Sequence, residues 1–184
     1  IQGGPHLNAI AGIAVALKEA STPAYKEYAK QIVTNAKTLA DVLCKDGLEL
    51  VSGGTDSHLI LVDLRNKQLL GNTVAEGLEA VNIIINRNGV PFDTNSPFYP
   101  SGIRIGTPGI ASRNLKEKEV RQIAMHISAV INALSETKQQ LGYSSDDEKK
   151  RAIREELIAK TAILPEIQEA VLSLCNAFPL LKEY

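Results

Sequence analysis

A chain of 184 residues with 44% hydrophobic residues is long enough to bury a core in one domain, or in one domain with an appended segment. Its net charge of −1 argues against a general nucleic-acid surface, which would carry clustered excess basic charge. No apolar run approaches the length of a membrane-spanning helix and no signal peptide is visible, so the sequence predicts a soluble protein without a membrane partner.

The first half of the chain predicts two helices and a hairpin. Gly3-Gly4-Pro5 is typical of a turn with proline at the first helical position, and we expect the helix after it to be buried on much of its circumference. Ser21 or Thr22 caps a second helix. Apolar strands at 48–51 and 58–64, joined by a tight turn, predict a β-hairpin.

The second half alternates between helical and strand periodicity. Asn72 or Thr73 caps a helix that runs through residue 80, a β-branched strand follows at 83–86, and a long loop leads to a strand at 103–105. A further helix starts at Lys116. The order helix, helix, β, β, α, β, β, α predicts an α/β domain of the two-layer α+β type, in which helices cover a small, mostly antiparallel sheet.

Charged residues dominate the segment at 144–156, which predicts a solvated helix capped by Ser145 or Asp146. Pro165 opens a last helix.

The two cysteines, Cys44 and Cys175, lie far apart and lack neighbours at metal-ligand spacing. They predict two reduced, buried thiols in an intracellular protein and no metal site.

Isolated polar side chains in apolar segments favour structural roles. Asp63 interrupts an apolar strand, and we expect it to bond to the backbone or to an arginine. His58 and His126 are each predicted to be satisfied structural histidines, whereas His6 follows the opening turn and lies near any site formed there.

Arg104 is the strongest candidate for a binding residue. Side chains alternate along Ile103-Arg104-Ile105, so the two isoleucines face one side of the strand and Arg104 faces the other. Gly102 and Gly106 remove side-chain bulk at both ends, which allows a small ligand to approach. A guanidinium is the preferred partner of a carboxylate because it forms two parallel hydrogen bonds. The alternative is a solvated arginine on an edge strand.

Three blocks of the sequence resemble, in the same order, serine hydroxymethyltransferase, a pyridoxal 5′-phosphate-dependent family with the aspartate-aminotransferase type of fold. The blocks are Ile1–His6, Gly53–Leu64 and Asn88–Pro108, and the resemblance runs from residue 1 to about 135. It covers the last part of the family's chain, the C-terminal small domain of a fold-type-I enzyme. Because the first residue is Ile and not Met, we expect a fragment of a longer polypeptide.

The resemblance implies an enzyme that transfers the hydroxymethyl carbon of serine to tetrahydrofolate and leaves glycine. Arg104 matches the residue that binds the carboxylate of serine or glycine. Gly3 and Gly4 match a turn whose backbone N–H groups bind the cofactor phosphate of the neighbouring subunit. The parent enzyme is therefore expected to be a homodimer or a dimer of dimers, in the cytoplasm or, with a presequence, in a mitochondrion or plastid.

The resemblance also implies a folate site in the long loop. Asn88 lies sixteen positions before Arg104, as does the family asparagine that hydrogen-bonds the pteridine ring. Ser96 and Phe98 correspond to residues that flank the aminobenzoyl portion. From the residues alone, Asn88-Gly89 and Ser96-Pro97 are equally typical of turns.

The family binds its cofactor covalently through a lysine in a Thr-His-Lys sequence, and no lysine follows a histidine here. We therefore assign no catalytic residue to this chain and expect it to be inactive alone. The implied organisation is bridging helices at 1–45, the small domain at 46–135 and a helical extension at 136–184.

Two alternatives stay open: a non-catalytic dimerisation or interaction module, and a different fold-type-I pyridoxal-phosphate enzyme that keeps Arg104 without needing Asn88.

Overall fold

A computed structural model of the chain describes residues 3, 4 and 6–179. Within these residues the helices are α1 Leu7–Ala20, α2 Pro23–Lys45, α3 Gly71–Ala80, α4 Pro108–Ser112, α5 Glu117–Leu141, α6 Arg151–Lys160 and α7 Leu164–Ala177. The strands are β1 Glu49–Leu50, β2 Leu59–Asp63, β3 Asn86–Asn88 and β4 Gly102–Gly106. The strands form one sheet in the order β1-β2-β4-β3, with every neighbouring pair antiparallel. The predicted fold class and antiparallel sheet are confirmed.

The local signals at the helix ends explain several boundaries. Thr22 caps α2, since its side-chain oxygen accepts a hydrogen bond from the backbone N–H of Tyr25 at 3.3 Å. Helix α5 begins directly after Lys116, as predicted, and ends at Gly142, whose φ of 71° suits glycine. The predicted antiparallel pairing is confirmed, since Glu49 pairs with Asp63. The strands are shorter than predicted, and the connection at 51–58, which includes a 3₁₀ turn at Val51–Gly53, is longer than the predicted tight turn.

The core lies between one face of the sheet and the helices α2, α3 and α5. Ile60 and Val62 on β2 and Ile103 and Ile105 on β4 are at most 5% exposed. They pack with apolar residues of the three helices in a single cluster. The alternation that buries these side chains turns their neighbours along each strand towards the opposite face of the sheet.

Two predicted boundaries in the second half are wrong. Strand β3 begins at Asn86, because Ile83 and Ile85 pack against the core before the chain reaches the sheet. Helix α3 begins at Gly71 and has no capping side chain of its own. Instead, the carboxylate of Glu148 accepts hydrogen bonds from the Leu70 backbone N–H, at 3.1 Å, and from the Thr73 hydroxyl.

The predicted burial of α1 is also wrong for this chain. None of its residues is buried, and Leu7 and Leu17 are each 67% exposed. Helical spacing of apolar residues identifies a face that needs a partner, but it does not show whether the partner belongs to the same chain. The predicted role of Pro5 falls outside the described residues.

The C-terminal segment is less solvated than its composition predicts. A 3₁₀ turn at Asp147–Lys149 precedes α6, whose N-cap is Lys150, so the predicted cap at Ser145 or Asp146 is wrong. Glu148 is fully buried and Arg154 is 7% exposed. Pro165 lies in the first turn of α7, as predicted. No helix of the described chain has the length and apolar character needed to cross a membrane.

Candidate functional site

The side of the sheet that faces away from the core carries Arg104. Leu61 on β2 and Asn86 on β3 lie directly opposite it in the register, so their side chains share its face. Arg104 is exposed, and within the described part of the chain its side chain forms no hydrogen bond or ion pair. Its fork of N–H donors is therefore free to bind an anion, and a carboxylate matches the fork geometry.

The two glycines that flank Arg104 have different roles, and one prediction is corrected. Gly106 is exposed, and a Cβ there would meet nothing closer than 3.7 Å, so this side of Arg104 is open. Gly102 is buried, and a Cβ there would lie 2.5 Å from Val90 Cγ1 and 2.6 Å from the Val62 carbonyl oxygen. Gly102 therefore makes room for the β3–β4 loop and not for a ligand.

A concavity of about 580 Å³ lies beside Arg104 on the same face of the sheet. Leu59 and Leu61 form its floor, and the turn at 52–57 supplies hydroxyl-bearing side chains to its wall. Thr55 holds this turn in place, because its hydroxyl donates to the Leu59 carbonyl oxygen at 2.7 Å and accepts from the Ser57 N–H at 3.1 Å. Arg104 therefore lies next to a concavity that is lined partly by polar side chains.

The loop at 89–101 is fixed by Asp93, which the sequence analysis did not identify. One carboxylate oxygen of Asp93 accepts from the Ser101 N–H at 2.8 Å, and the other accepts from the Ser101 hydroxyl at 2.7 Å and from the Asn95 N–H at 3.0 Å. Burial raises the pKa of Asp93, but the hydrogen bonds from Ser101, Asn95 and Val90 outweigh it, so the pKa lies below its ordinary value. The loop is therefore built around an ionised carboxylate.

Two of the three predicted folate residues line one concavity of about 560 Å³ along this loop. Asn88 and Ser96 both border it, and Phe92 borders it as well. Asn88 pairs with Gly102 in the sheet, two residues along β4 from Arg104, and its side-chain N–H donates to the Gly89 carbonyl oxygen at 2.7 Å. Phe98 is 76% exposed and does not border this concavity. The fold thus places Asn88, Ser96 and Arg104 in one region of the molecule.

Gly3 and Gly4 lie before α1, at the end of the helix opposite its connection to α2. Both are exposed, and a Cβ on either would have no neighbour within 4 Å. Nothing in the described chain therefore requires glycine at these positions. Two glycines there are typical of a turn before a helix, and they also leave room for a group outside the chain to approach the backbone.

The other polar residues have structural roles or lie at the surface. Asp63 forms an ion pair with Arg65 at 2.5 Å, which confirms the expectation for Asp63. Burial raises the pKa of Asp63, but the hydrogen bonds from Arg65 lower it by more, so the pKa lies below its ordinary value. His126 is half-buried, as expected, and burial lowers its pKa. His58 is exposed, and the Thr107 N–H and hydroxyl donate to its carbonyl oxygen, so its backbone, not its imidazole, has the structural role.

The cysteine prediction needs correction, since Cys44 is exposed and Cys175 is half-buried. Both thiols are free. Among the described residues, no group of three or more His, Cys, Asp or Glu side chains is placed to hold a metal ion.

Comparisons with known proteins identify the family to which the chain is similar. The family model described as serine hydroxymethyltransferase matches residues 1–127. A serine hydroxymethyltransferase of Desulfotalea psychrophila (strain LSv54 / DSM 12343) is 42% identical over 179 residues, which cover 97% of this chain. The same match covers 36% of the relative, so the chain spans about a third of that protein's length.

Proposed function

This chain belongs to the serine hydroxymethyltransferase family, and we propose that it supplies the substrate-carboxylate and folate side of that enzyme's active site. The parent enzyme then interconverts serine and glycine and transfers the one-carbon unit to tetrahydrofolate. The observation that supports this proposal best is the guanidinium of Arg104, which has no side-chain partner among residues 3, 4 and 6–179. Arg104 lies two residues along its strand from Gly102, the partner of Asn88.

Arg104 positions the amino acid by gripping its carboxylate. Two parallel hydrogen bonds fix the orientation of the substrate as well as its distance, which sets the bond at Cα that reacts. Pyridoxal 5′-phosphate, when bound, supplies the electron sink for the charge that develops at Cα. The open space on the Gly106 side of Arg104 fits the approach of this small substrate.

Gly3 and Gly4 bind the phosphate of the cofactor that is held by the neighbouring subunit. Their open surroundings fit this role, because among the described residues no group beyond their chain neighbours comes within 4 Å of the space that a side chain would fill. Backbone N–H groups near the start of a helix favour an anion. The proposal therefore includes a homodimer or a dimer of dimers.

Asn88 and Ser96 bind tetrahydrofolate in the concavity of the β3–β4 loop. An amide both donates and accepts hydrogen bonds, as the edge of a pterin ring requires. The hydroxyl of Ser96 borders the same space, and the exposed Phe98 lies two residues further along. A different fold-type-I enzyme would not need this amide, so Asn88→Ala should weaken tetrahydrofolate binding only if the folate assignment is right.

The lysine that holds the cofactor covalently lies outside this chain. The histidines at 6, 58 and 126 are followed by Leu7, Leu59 and Ile127 and not by lysine. The isolated chain should therefore release no glycine from serine in the presence of pyridoxal 5′-phosphate and tetrahydrofolate. Measurable turnover by the chain alone would contradict this expectation.

Substitution of Arg104 in the full-length enzyme tests the proposal. Arg104→Ala should weaken glycine binding by about 2–5 kcal/mol, because the carboxylate of the bound glycine would then be desolvated without its cationic partner. Arg104→Lys should recover part of this loss, because lysine keeps the charge and loses the planar fork. Arg121→Ala, at an exposed arginine of α5, is the matched control and should leave glycine affinity unchanged. Equal glycine affinity in wild type and Arg104→Ala would refute the assignment.

A further inference from the structure

Phe92 combines two unfavourable features that nothing within the described chain offsets. Its side chain is 96% exposed, so it gains almost no packing. Its backbone lies in the left-handed region, with φ of 57°, where residues with a bulky side chain are uncommon. Neither burial nor backbone preference accounts for an aromatic residue at this position.

The other left-handed positions show what the backbone prefers. Among the described residues other than glycine, positive φ values occur at Phe92 and at four small or polar residues: Ser52, Gln68, Asn82 and Asn114. Asparagine tolerates this region because its short polar side chain bonds locally. An aromatic ring at 92 is thus placed against the local preference, and an observed outlier of this kind points to function.

The surrounding loop holds Phe92 beside the proposed folate site. Phe92 directly precedes Asp93, whose carboxylate ties the loop to Ser101 and Asn95. The same concavity is bordered by Phe92, Asn88 and Ser96. On the other side of Phe92, the Val90 N–H donates to the Asp93 carboxylate and the Asp93 N–H donates to the Val90 carbonyl oxygen, which closes the turn that carries Phe92. The position of the ring relative to Asn88 is therefore set mainly by its own side-chain rotations.

We propose that Phe92 is a stacking residue for the aromatic part of tetrahydrofolate, an inference that rests on the proposed folate site. Asn88 and Ser96 offer hydrogen bonds at the edge of a planar ligand, but they offer no surface for its face. An exposed aromatic ring supplies that surface, since offset stacking of π-systems is favourable and the ring buries apolar area when the ligand binds. Phe92 would then determine affinity for folate without contributing to affinity for the amino acid.

Three substitutions in the full-length enzyme separate the ring from the backbone. Phe92→Asn removes the ring and suits the left-handed backbone, and Phe92→Tyr keeps the ring. Ile84→Asn removes another highly exposed apolar side chain, 84% exposed, as a control. Calorimetric titration with tetrahydrofolate, in the presence of glycine, should show about five- to fiftyfold weaker binding for Phe92→Asn. Phe92→Tyr and Ile84→Asn should stay within about twofold of wild type. Glycine affinity and thermal stability of Phe92→Asn should not fall.

Asn88→Ala in the same titration distinguishes failure of this inference from failure of the proposed function. If Asn88→Ala weakens tetrahydrofolate binding and Phe92→Asn does not, stacking by Phe92 is refuted and the folate site stands. If neither substitution changes the binding, the folate site itself is refuted. If Phe92→Asn lowers thermal stability and glycine affinity together with folate affinity, the ring has a structural role and the inference is again refuted.

Discussion

Asp93 fixes the loop that carries the proposed folate residues, and it does so as a carboxylate. Its two oxygens accept hydrogen bonds from Ser101, Asn95 and Val90. An amide in its place has one accepting oxygen and presents an NH₂ group to the remaining donors. Asp93→Asn should therefore lower the free energy of unfolding by about 2 kcal/mol and weaken tetrahydrofolate binding. Asp56→Asn, at an exposed aspartate, is the control and should change neither quantity.

The pH dependence of the Asp93→Asn effect has a definite sign. The pKa of Asp93 is lowered in the folded state from its ordinary value of 3.8. Its stabilising contribution is therefore present above the ordinary pKa and is lost as the pH falls through the lower, folded-state pKa. Thermal unfolding of wild type and Asp93→Asn should differ at pH 7 and converge at strongly acid pH. A difference that stays constant over this range would contradict the role of the ionised carboxylate.

At the scale of elements, a buried ion pair joins the C-terminal segment to the rest of the chain. Glu148 lies 2.5 Å from Lys138 of α5, and these side chains are 0% and 5% exposed. Lys138 also donates to the Gln68 carbonyl oxygen and to the Ser145 hydroxyl. Arg154 of α6 donates to the Glu148 carbonyl oxygen and to Glu76, both at 2.8 Å. One charged cluster thus caps α3 and holds α6 against α3 and α5.

Removal of both members of this pair should cost less than the sum of the two single removals. Glu148→Ala leaves the Lys138 charge buried without its partner and should lower the free energy of unfolding by about 3–5 kcal/mol. The double variant Lys138→Met, Glu148→Gln should cost less than the sum of the two single changes. Urea unfolding measures both, and Lys160→Met, in the exposed pair with Glu156, should cost less than about 1 kcal/mol. Additive effects at 138 and 148 would contradict the coupling.

The contrast between predicted and observed elements follows from the range of the interactions. The helix cap at Thr22, the hairpin and the outward direction of Arg104 depend on neighbours a few residues away, so periodicity and cap residues indicate them. The start of α3 depends on Glu148, 78 residues from the N–H that it caps. The many charged residues around Glu148 predicted a solvent-exposed segment, and no signal in the sequence indicated that the Glu148 side chain is buried.

The site residues show the same division. Alternation along β4 was sufficient to select Arg104, and Asn88 was selected only through the resemblance to the family. The need for Gly102 to leave room for Val90 arises only when the loop folds back. Asp93 did have a signal, because aspartate in a proline-containing loop favours an Asx turn, in which its carboxylate accepts from the backbone N–H two residues on, here that of Asn95.

At the scale of the whole molecule, the two terminal helices should contribute differently to stability. No α1 side chain is buried, whereas α7 buries Leu164, Ile167 and Val171. Removal of residues 1–20 should therefore change the free energy of unfolding by less than about 1 kcal/mol, and removal of residues 164–184 should cost about 5 kcal/mol or more. Urea unfolding of the two shortened chains compares these values. A large loss on removal of residues 1–20 would show that α1 packs against this chain after all.

The central claim is that Arg104 grips the carboxylate of the amino acid substrate, with folate bound beside Asn88. A crystal structure of the full-length enzyme with pyridoxal 5′-phosphate, glycine and tetrahydrofolate tests it most directly. The account predicts two hydrogen bonds of about 2.7–2.9 Å between the guanidinium of Arg104 and the glycine carboxylate. It also predicts the pterin ring within hydrogen-bonding distance of the Asn88 amide. A glycine carboxylate bound by another residue, with Arg104 turned to solvent, would contradict it.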